Sequence, residues 1–545
     1  MPFDKDLSSI QEVRDLIQKA KIAQLEFRSY SQEKVDAICK AMADAGFVAA
    51  EYLGRMAHEE TGFGKAEDKK KKNEFATQRV WESIKDVKTV GVIREIPEKK
   101  LIEIAEPMGV VAALIPSTNP TSTAMFKSLI SIKGRNAIVA SPHPKAAKST
   151  LEAIQIIRDA AESAGAPQNL ILCVSNPTME ATTELMKHKL VAIILATGSN
   201  PMVRAAYSSG KPAYGVGSGN VPAYIEKSAN IQKAVADIIS GKIFDYGVLC
   251  STESGLICDR QIKDEVMFEL QKLGCFICIG EDKDKLAKIM FDQRGTINPA
   301  MVGKSATYIA KNAGISVPEN TKVLAAEVSS VGREEPLSRE KLSPVLSIMT
   351  VQDWREGCHR CIEMLEFGGI GHTMVIHSTD NDIIMKFALE KPAFRILVNT
   401  QSALGAVGFT NGLDPSLTLG PGTIGGSIIS DNVTARHMIN IKRLAYETNS
   451  INSSENFSLQ IEGKQTDFNS SKKTETNLKL TMEKNTNSNV SWIDIIDERI
   501  RLKAGNPPVS KKNDTVRQAP LQQAEVKFGT GISKEEVDKI LRNFK

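Results

Sequence analysis

Cys250 stands in Phe244-Asp-Tyr-Gly-Val-Leu-Cys250-Ser-Thr-Glu-Ser, where a helical pattern gives way to a strand-like one. A thiolate there can attack an electrophilic carbon and form a covalent intermediate. Cys250 is also one of eight cysteines, and a cysteine in an apolar run packs well as a small hydrophobe. Both readings stay open on this segment alone. A second polar cluster is Ile115-Pro-Ser-Thr-Asn119-Pro-Thr-Ser-Thr, directly after an apolar run and before a helical one. Strand ends that meet helix starts are where open α/β sheets bind ligands. Asn119 can offer its amide N–H to an oxyanion, or the cluster can be a turn in which Thr118 or Thr121 caps the helix. Leu195-Ala-Thr197-Gly198-Ser199-Asn follows another apolar run, and the free N–H groups of such a helix start suit a pyrophosphate. Gly215-Val-Gly217-Ser-Gly219-Asn220 is glycine-rich but is neither a dinucleotide fingerprint nor a P-loop.

Other chemistry is disfavoured. Cys275/Cys278 and Cys358/Cys361 form two Cys-x-x-Cys pairs. Cys275-Phe-Ile-Cys278 lies in a strand-like run, where residues three apart face opposite ways, so no metal site is expected. The basic run Lys69–Lys72 reads as a solvated helix face.

The elements that must position these residues alternate. The first hundred residues read mostly as helices, with Ser31 a capping residue for the helical pattern that follows. Strands are expected at 108–115, 136–140, 169–174 and 190–196, and helices at 121–132, 145–164, 178–187 and 202–208. Short apolar strands between helices imply a doubly wound parallel sheet. A second α/β stretch runs over 242–426, with strands expected at 254–258, 275–279, 345–349, 374–377 and 396–399. At 545 residues, and with roughly 150 per domain, three or four domains are expected.

Composition narrows the function classes. The net charge is +4, which gives no reason to expect nucleic acid. No apolar run reaches the ~20 residues of a membrane span, and the N-terminus lacks an apolar signal core. The scattered cysteines do not form a disulfide framework, so a reducing cytoplasm is expected.

Taken together and in order, several long segments resemble one family. They are Pro107-Met-Gly-Val-Val-Ala-Ala-Leu-Ile-Pro-Ser-Thr-Asn119-Pro, Ser141-Pro142-His143-Pro, Ala205-Ala-Tyr-Ser-Ser-Gly-Lys-Pro-Ala, the Cys250 segment and Glu340-Lys-Leu-Ser-Pro344. Over residues 10–446 the chain resembles the CoA-acylating branch of the aldehyde dehydrogenase superfamily, including the enzymes of bacterial microcompartments. The resemblance implies an α/β fold of two doubly wound parallel-sheet domains with a small β oligomerisation flap. It places the NAD(P)-binding domain at 1–240, the catalytic domain at 241–426, and flap segments near 98–106 and 427–447. It implies Cys250 as nucleophile and Asn119, with the Cys250 N–H, as the oxyanion hole. Ser141, Pro142, His143, Thr197, Gly198, Ser199 and Gly217 would hold the cofactor, and Glu340 its nicotinamide ribose. NAD or NADP is the implied cofactor, CoA the co-substrate, a short aldehyde such as acetaldehyde or propionaldehyde the substrate, and a homodimer or homotetramer the assembly.

One departure carries information. Hydrolytic relatives have a glutamate in a Glu-Leu-Gly-Gly motif that activates water. The matching stretch here, Gly215–Asn220, has no acid. Water attacks a thioester slowly without a base, whereas a thiol needs less help, so acyl transfer to CoA is expected. A dehydrogenase releasing free acid and a catalytically idle assembly factor are the competing readings.

The tail changes character. Residues 448–531 are rich in Asn, Ser, Thr, Lys and Glu, and such a segment cannot bury enough apolar surface to offset its ordering entropy. A disordered linker is expected there. Within 532–545, Ser533 and Glu536 have capping-box spacing, and Val537, Ile540, Leu541 and Phe544 form one apolar stripe. This piece resembles the encapsulation peptides that bind microcompartment shell proteins; docking on its own subunit is the alternative. Residues 491–503 are a weaker second candidate.

Overall fold

The computed structural model describes residues 4–449. Fifteen strands form three sheets among these residues. The first sheet holds β1 (Gly91–Ile96), β2 (Leu101–Pro107) and β15 (Ile439–Ala445), all antiparallel, in the order β1-β2-β15. The second holds β3 (Val110–Ile115), β4 (Ala137–Pro142), β5 (Ile171–Cys173), β6 (Val191–Thr197) and β7 (Ala213–Val216), all parallel, in the order β5-β4-β3-β6-β7. The third holds β8 (Val221–Ile225), β9 (Glu253–Asp259), β10 (Cys275–Cys278), β11 (Val323–Glu327), β12 (Val345–Val351), β13 (Gly371–His377) and β14 (Ala393–Val398). It too is parallel, in the order β10-β11-β12-β9-β8-β13-β14. Two doubly wound parallel sheets and a small antiparallel flap are the architecture expected from the sequence.

Patterning explains the layers. β3 and β4 are buried at every position, as strands covered on both faces must be. In β12, Val345, Met349 and Val351 join the core on one face, while Leu346 and Ile348 join the core on the other, the period of two that a pleated strand imposes. The helix Pro120–Lys133 is buried along its whole length. Lys127 inside it donates to the carbonyls of Leu114 (2.8 Å) and Leu195 (2.9 Å), at the ends of β3 and β6. Ser31 does cap the helix Gln32–Val48, accepting from the Lys34 N–H.

Three sequence expectations need correction. The expected domain division at residue 240 falls inside the helix Ile231–Ile243. The change of sheet comes between β7 and β8, because β8 pairs with β9 and β13. Short apolar strands look alike whichever sheet they join, so periodicity could not separate these two. The flap also begins earlier than 98, at β1. Of the segment 427–447, only β15 enters the flap; Ile429, Val433, Ala435 and Met438 pack into the core of the five-stranded domain. Third, Lys69 and Lys72 are not solvated: both are buried, while Lys71 between them is exposed. The linker and tail expectations, 448–531, 532–545 and 491–503, lie outside the described residues but for 448 and 449.

Candidate active site

Parallel strands carry their C-terminal ends to one edge of a sheet, and the sequence candidates gather there. Pro116–Asn119 follows β3, Ser141–His143 ends β4, Thr197–Ser199 ends β6, and Gly217 follows β7. The register Leu114↔Ser141 and Ile115↔Pro142 sets the first two side by side. Ser141 Oγ lies 3.0 Å from Thr182 Oγ1, and His143 is exposed, its Nδ1 accepting from the Lys145 N–H at 3.1 Å. Thr197 Oγ1 is buried with no hydrogen-bond partner, at the entry to the helix Asn200–Tyr207. That orphaned hydroxyl and the helix start fit a nicotinamide cofactor's phosphates. Gly217 packs against the Asn200 side chain, whose amide would have to move to admit a Cβ, since that atom would lie 2.1 Å from Asn200 Oδ1.

Cys250 lies in the loop between the helix Ile231–Ile243 and β9. The loop is unusual: Asp245 (φ 46°), Tyr246 (φ 49°) and Gly247 (φ 70°) are successive left-handed residues. Non-glycine residues hold that conformation only when their surroundings over-determine it. Here the surroundings are explicit. Asp245 Oδ1 accepts from the Lys65 N–H at 2.6 Å, its own N–H donates to Asp68 at 2.9 Å, and its Oδ2 accepts from Lys69 Nζ at 3.1 Å and from Lys72 Nζ.

Around the half-buried thiol the structure collects groups from distant segments. Gly219 follows β7 and touches the Cys250 carbonyl; its N–H donates to Glu340 Oε1 at 3.0 Å. Burial first, and the Glu340 carboxylate second, push the Cys250 thiol up to about 12, against the guanidinium of Arg395 and the N–H groups of Cys250 and Ser251. Burial likewise raises Glu340 to about 8, opposed by the Gly219 N–H and Lys242. His372, on β13, is buried and lowered to about 3 by burial and by Arg395. Its Nδ1 lies 2.9 Å from Thr373 Oγ1, and its Nε2 has no partner. Arg395, on β14, donates to the carbonyl of Gly420 at 2.7 Å.

Sequence patterning does not single out His372 or Arg395. The signal for His372 was a histidine inside Gly369-Ile-Gly371-His372-Thr, between tight turns at a strand start. Arg395 had none, because a charged residue in a strand reads as an outward face.

A cavity of about 880 Å³ is lined in part by Phe244 and Leu249 of the Cys250 loop. Its walls include Phe75, Phe244, Leu249, Leu404, Val407 and Phe409, and Lys72 reaches it as well. The arrangement is a thiol whose loop lines a largely apolar cavity through Phe244 and Leu249 and whose backbone meets Gly219, at the end of the parallel sheet that carries the phosphate-ready turns. It can perform acyl chemistry coupled to hydride transfer.

Comparisons with known proteins identify the family. The aldehyde dehydrogenase family model matches residues 6–417. Aldehyde-alcohol dehydrogenase 2 of Entamoeba histolytica is 46% identical over 462 residues, covering 83% of this chain and 53% of that protein. The chain thus spans about half the length of the aldehyde-alcohol dehydrogenases it matches. The crystal structure of an acetylating aldehyde dehydrogenase from Geobacillus thermoglucosidasius superposes with a TM-score of 0.82 at 51% identity, covering 83% of this chain and 100% of that one. A propionaldehyde dehydrogenase of Rhodopseudomonas palustris, solved with bound CoA and an acylated cysteine, superposes with a TM-score of 0.71 at 28% identity, covering 80% of this chain and 97% of that one. The match of most of the chain to the family model, and the thiol-centred site at the meeting of two parallel sheets, place this chain in the aldehyde dehydrogenase family.

Proposed function

We propose that the chain is a CoA-acylating aldehyde dehydrogenase. It converts a short aldehyde, NAD(P)⁺ and CoA into acyl-CoA, NAD(P)H and a proton, reversibly. The observation that carries the reading is the setting of Cys250: its neighbour Leu249 lines a largely apolar cavity, and its backbone carbonyl packs against Gly219 just beyond β7, one of the parallel strands whose ends suit a dinucleotide. The acetylating Geobacillus enzyme and the acylated cysteine of the Rhodopseudomonas structure support it.

The chain's own groups give the sequence of events. The Cys250 thiol starts neutral, so its proton needs an acceptor. His372, lowered to about 3 by burial, is too weak a base to keep it, so the proton passes to solvent water as the one proton of the overall reaction. The thiolate adds to the aldehyde carbon, and the oxyanion is held by the Asn119 amide and the Cys250 N–H. The bound nicotinamide supplies the hydride acceptor. A thioester remains on Cys250. The Gly215–Asn220 loop offers no acid to activate water, and Glu340 beside it, raised to about 8, is mostly protonated at neutral pH. CoA, a better nucleophile than water, therefore takes the acyl group.

Ser141-Pro-His-Pro-Lys145 carries no carboxylate to bind a ribose 2′-OH or repel a 2′-phosphate, so both NAD⁺ and NADP⁺ are admitted. Acetaldehyde and propionaldehyde are the leading substrates. The flap, with β1 and β15 at its two edges, is the proposed contact of a homodimer or homotetramer. Residues 532–545 are the proposed address to a microcompartment shell. A panel of short aldehydes, followed at the NADH absorbance with and without CoA, tests the reading. Acyl-CoA formation that needs CoA supports it; steady release of free acid without CoA favours the hydrolytic alternative.

A further inference from the structure

Lys72 is out of place for a basic run. Its side chain is 4% exposed, that of Lys69 is 2%, and that of Asp245 is 0%. Two ammonium groups thus share one carboxylate in a buried triad. Lys69 is the strained member: burial and then repulsion from Lys72 lower it to about 8. Asp68, mostly buried alongside, turns Oδ2 to the Asp245 N–H and pairs with Lys65 and Lys71 on its outer side. One carboxylate between two ammonium groups leaves a surplus positive charge in a desolvated place.

That surplus is aimed. Lys72 Nζ contacts both Asp245 Oδ2 and Asn119 Oδ1, and Lys69 Nζ donates to the carbonyl of Thr118 at 3.0 Å. An ammonium group only donates, so it can face only the oxygen of an amide. Asn119 is thereby held in one of its two flips, with Nδ2 turned away from Lys72 and one hydrogen given to Thr118 Oγ1 at 3.1 Å. The second hydrogen is left for another acceptor. Among the described residues the Asn119 side chain bonds only to Lys72 and Thr118, and a hydroxyl can serve either end of an amide, so Lys72 alone fixes the flip.

We propose that Lys72 is the positioning residue of the oxyanion hole. It locks the Asn119 amide with its N–H outward, and the surplus charge of the Lys69–Asp245–Lys72 triad strengthens that donor. Because Asp245 lies five residues before Cys250 and Asn119 follows β3, the same ammonium ties the nucleophile loop to the cofactor sheet. The proposal rests on the reading of Cys250 as nucleophile and Asn119 as oxyanion donor.

The test is a double-mutant cycle on the full chain, reading the first-turnover rate of NADH formation with saturating propionaldehyde and NAD⁺. Lys72→Met should slow that step roughly 10- to 100-fold, less than the ~10²–10³ expected for losing the oxyanion donor itself, while KM for aldehyde and Kd for NAD⁺ change little. Lys72→Arg, keeping charge and donors, should recover part of the rate. In an Asn119→Ala background, Lys72→Met should cost less than about 3-fold more, the non-additivity of two groups acting as one. A wild-type first-turnover rate in Lys72→Met, or a full additional loss in the Asn119→Ala background, overturns the proposal. Should Lys72→Met fail to fold, Lys72→Leu, which likewise has no donor for Asn119 Oδ1, carries the same cycle, and a wild-type rate there overturns it equally. Turnover retained in Cys250→Ala would instead remove the underlying reading, a result separate from either.

Discussion

Gly219 lies against the backbone carbonyl of Cys250 so closely that a methyl group on Gly219 would sit 2.0 Å from that oxygen. The same methyl would stand 3.6 Å from His372 Nδ1. Gly219 needs no left-handed φ, so the requirement is one of space alone. The glycine lets the loop after β7, the nucleophile loop and β13 converge on one point.

Gly219→Ala should therefore displace the Cys250 loop rather than unfold the protein. Overpacking of this kind costs about 1–3 kcal/mol, modest beside the geometric demand of the reaction. The expected outcome is a fall in kcat of at least ~10-fold, with a soluble chain of nearly unchanged circular dichroism. Wild-type kcat would mean that the loop carrying Cys250 tolerates displacement.

Cys250→Ala should abolish aldehyde oxidation and leave cofactor binding intact. Asn119→Ala should slow turnover by ~10²–10³, the usual loss for an oxyanion donor. Steady-state rates, with cofactor binding followed by fluorescence, check both. A negligible change in Asn119→Ala would reduce that residue to a turn former.

Without CoA the enzyme should stall as the Cys250 thioester. Mixing enzyme, aldehyde and NAD⁺ should give at most a burst of about one NADH per active site, because the Gly215–Asn220 loop carries no acid and Glu340 beside it is mostly protonated at neutral pH. Glu340 ionises as pH rises through about 8, so slow release of free acid should grow above that pH and vanish in Glu340→Gln. Burst amplitudes at pH 7 and pH 9 decide this.

Glu340 also sets the reactivity of the thiol. Its negative charge raises the Cys250 pKa, so removing that charge lowers the pKa and increases the thiolate fraction at any pH below it. Below about pH 8 Glu340 is mostly protonated and has little charge to remove. Glu340→Gln should thus leave iodoacetamide labelling of Cys250 almost unchanged at pH 7 and accelerate it at pH 9. Equal acceleration at both values would show that Glu340 is ionised throughout.

Deleting residues 531–545 should leave the kinetic constants unchanged and end co-sedimentation with microcompartment shells. Val537→Glu or Leu541→Glu should imitate the deletion, because each sets a charge in the apolar stripe, whereas Asp538→Lys on the other face should be mild. A drop in thermal stability of the stripe variants, with shell binding intact, would mean that the piece docks on its own subunit.

Much of this protein was legible along the chain. Local periodicity determined β3, β4, β6 and the helices between them, since each is a short apolar run or an amphipathic repeat bounded by turns. The polar clusters at Asn119 and Thr197 were legible because each follows such a run directly, and a parallel sheet must bring those ends to one edge, whereas Ser141 stood out only through the family resemblance. What tertiary structure alone decided are the relationships between segments far apart in sequence. Lys69 and Lys72 looked solvated because a basic run has no local partner; Asp245, more than 170 residues away, buries them. The Gly215–Asn220 loop looked free of acids because its carboxyl neighbour, Glu340, arrives from 121 residues beyond Gly219. His372 and Arg395 were silent for the same reason. Burial and charge shape the reactivity of Cys250 through space, and the spacing of residue types along a chain records neither.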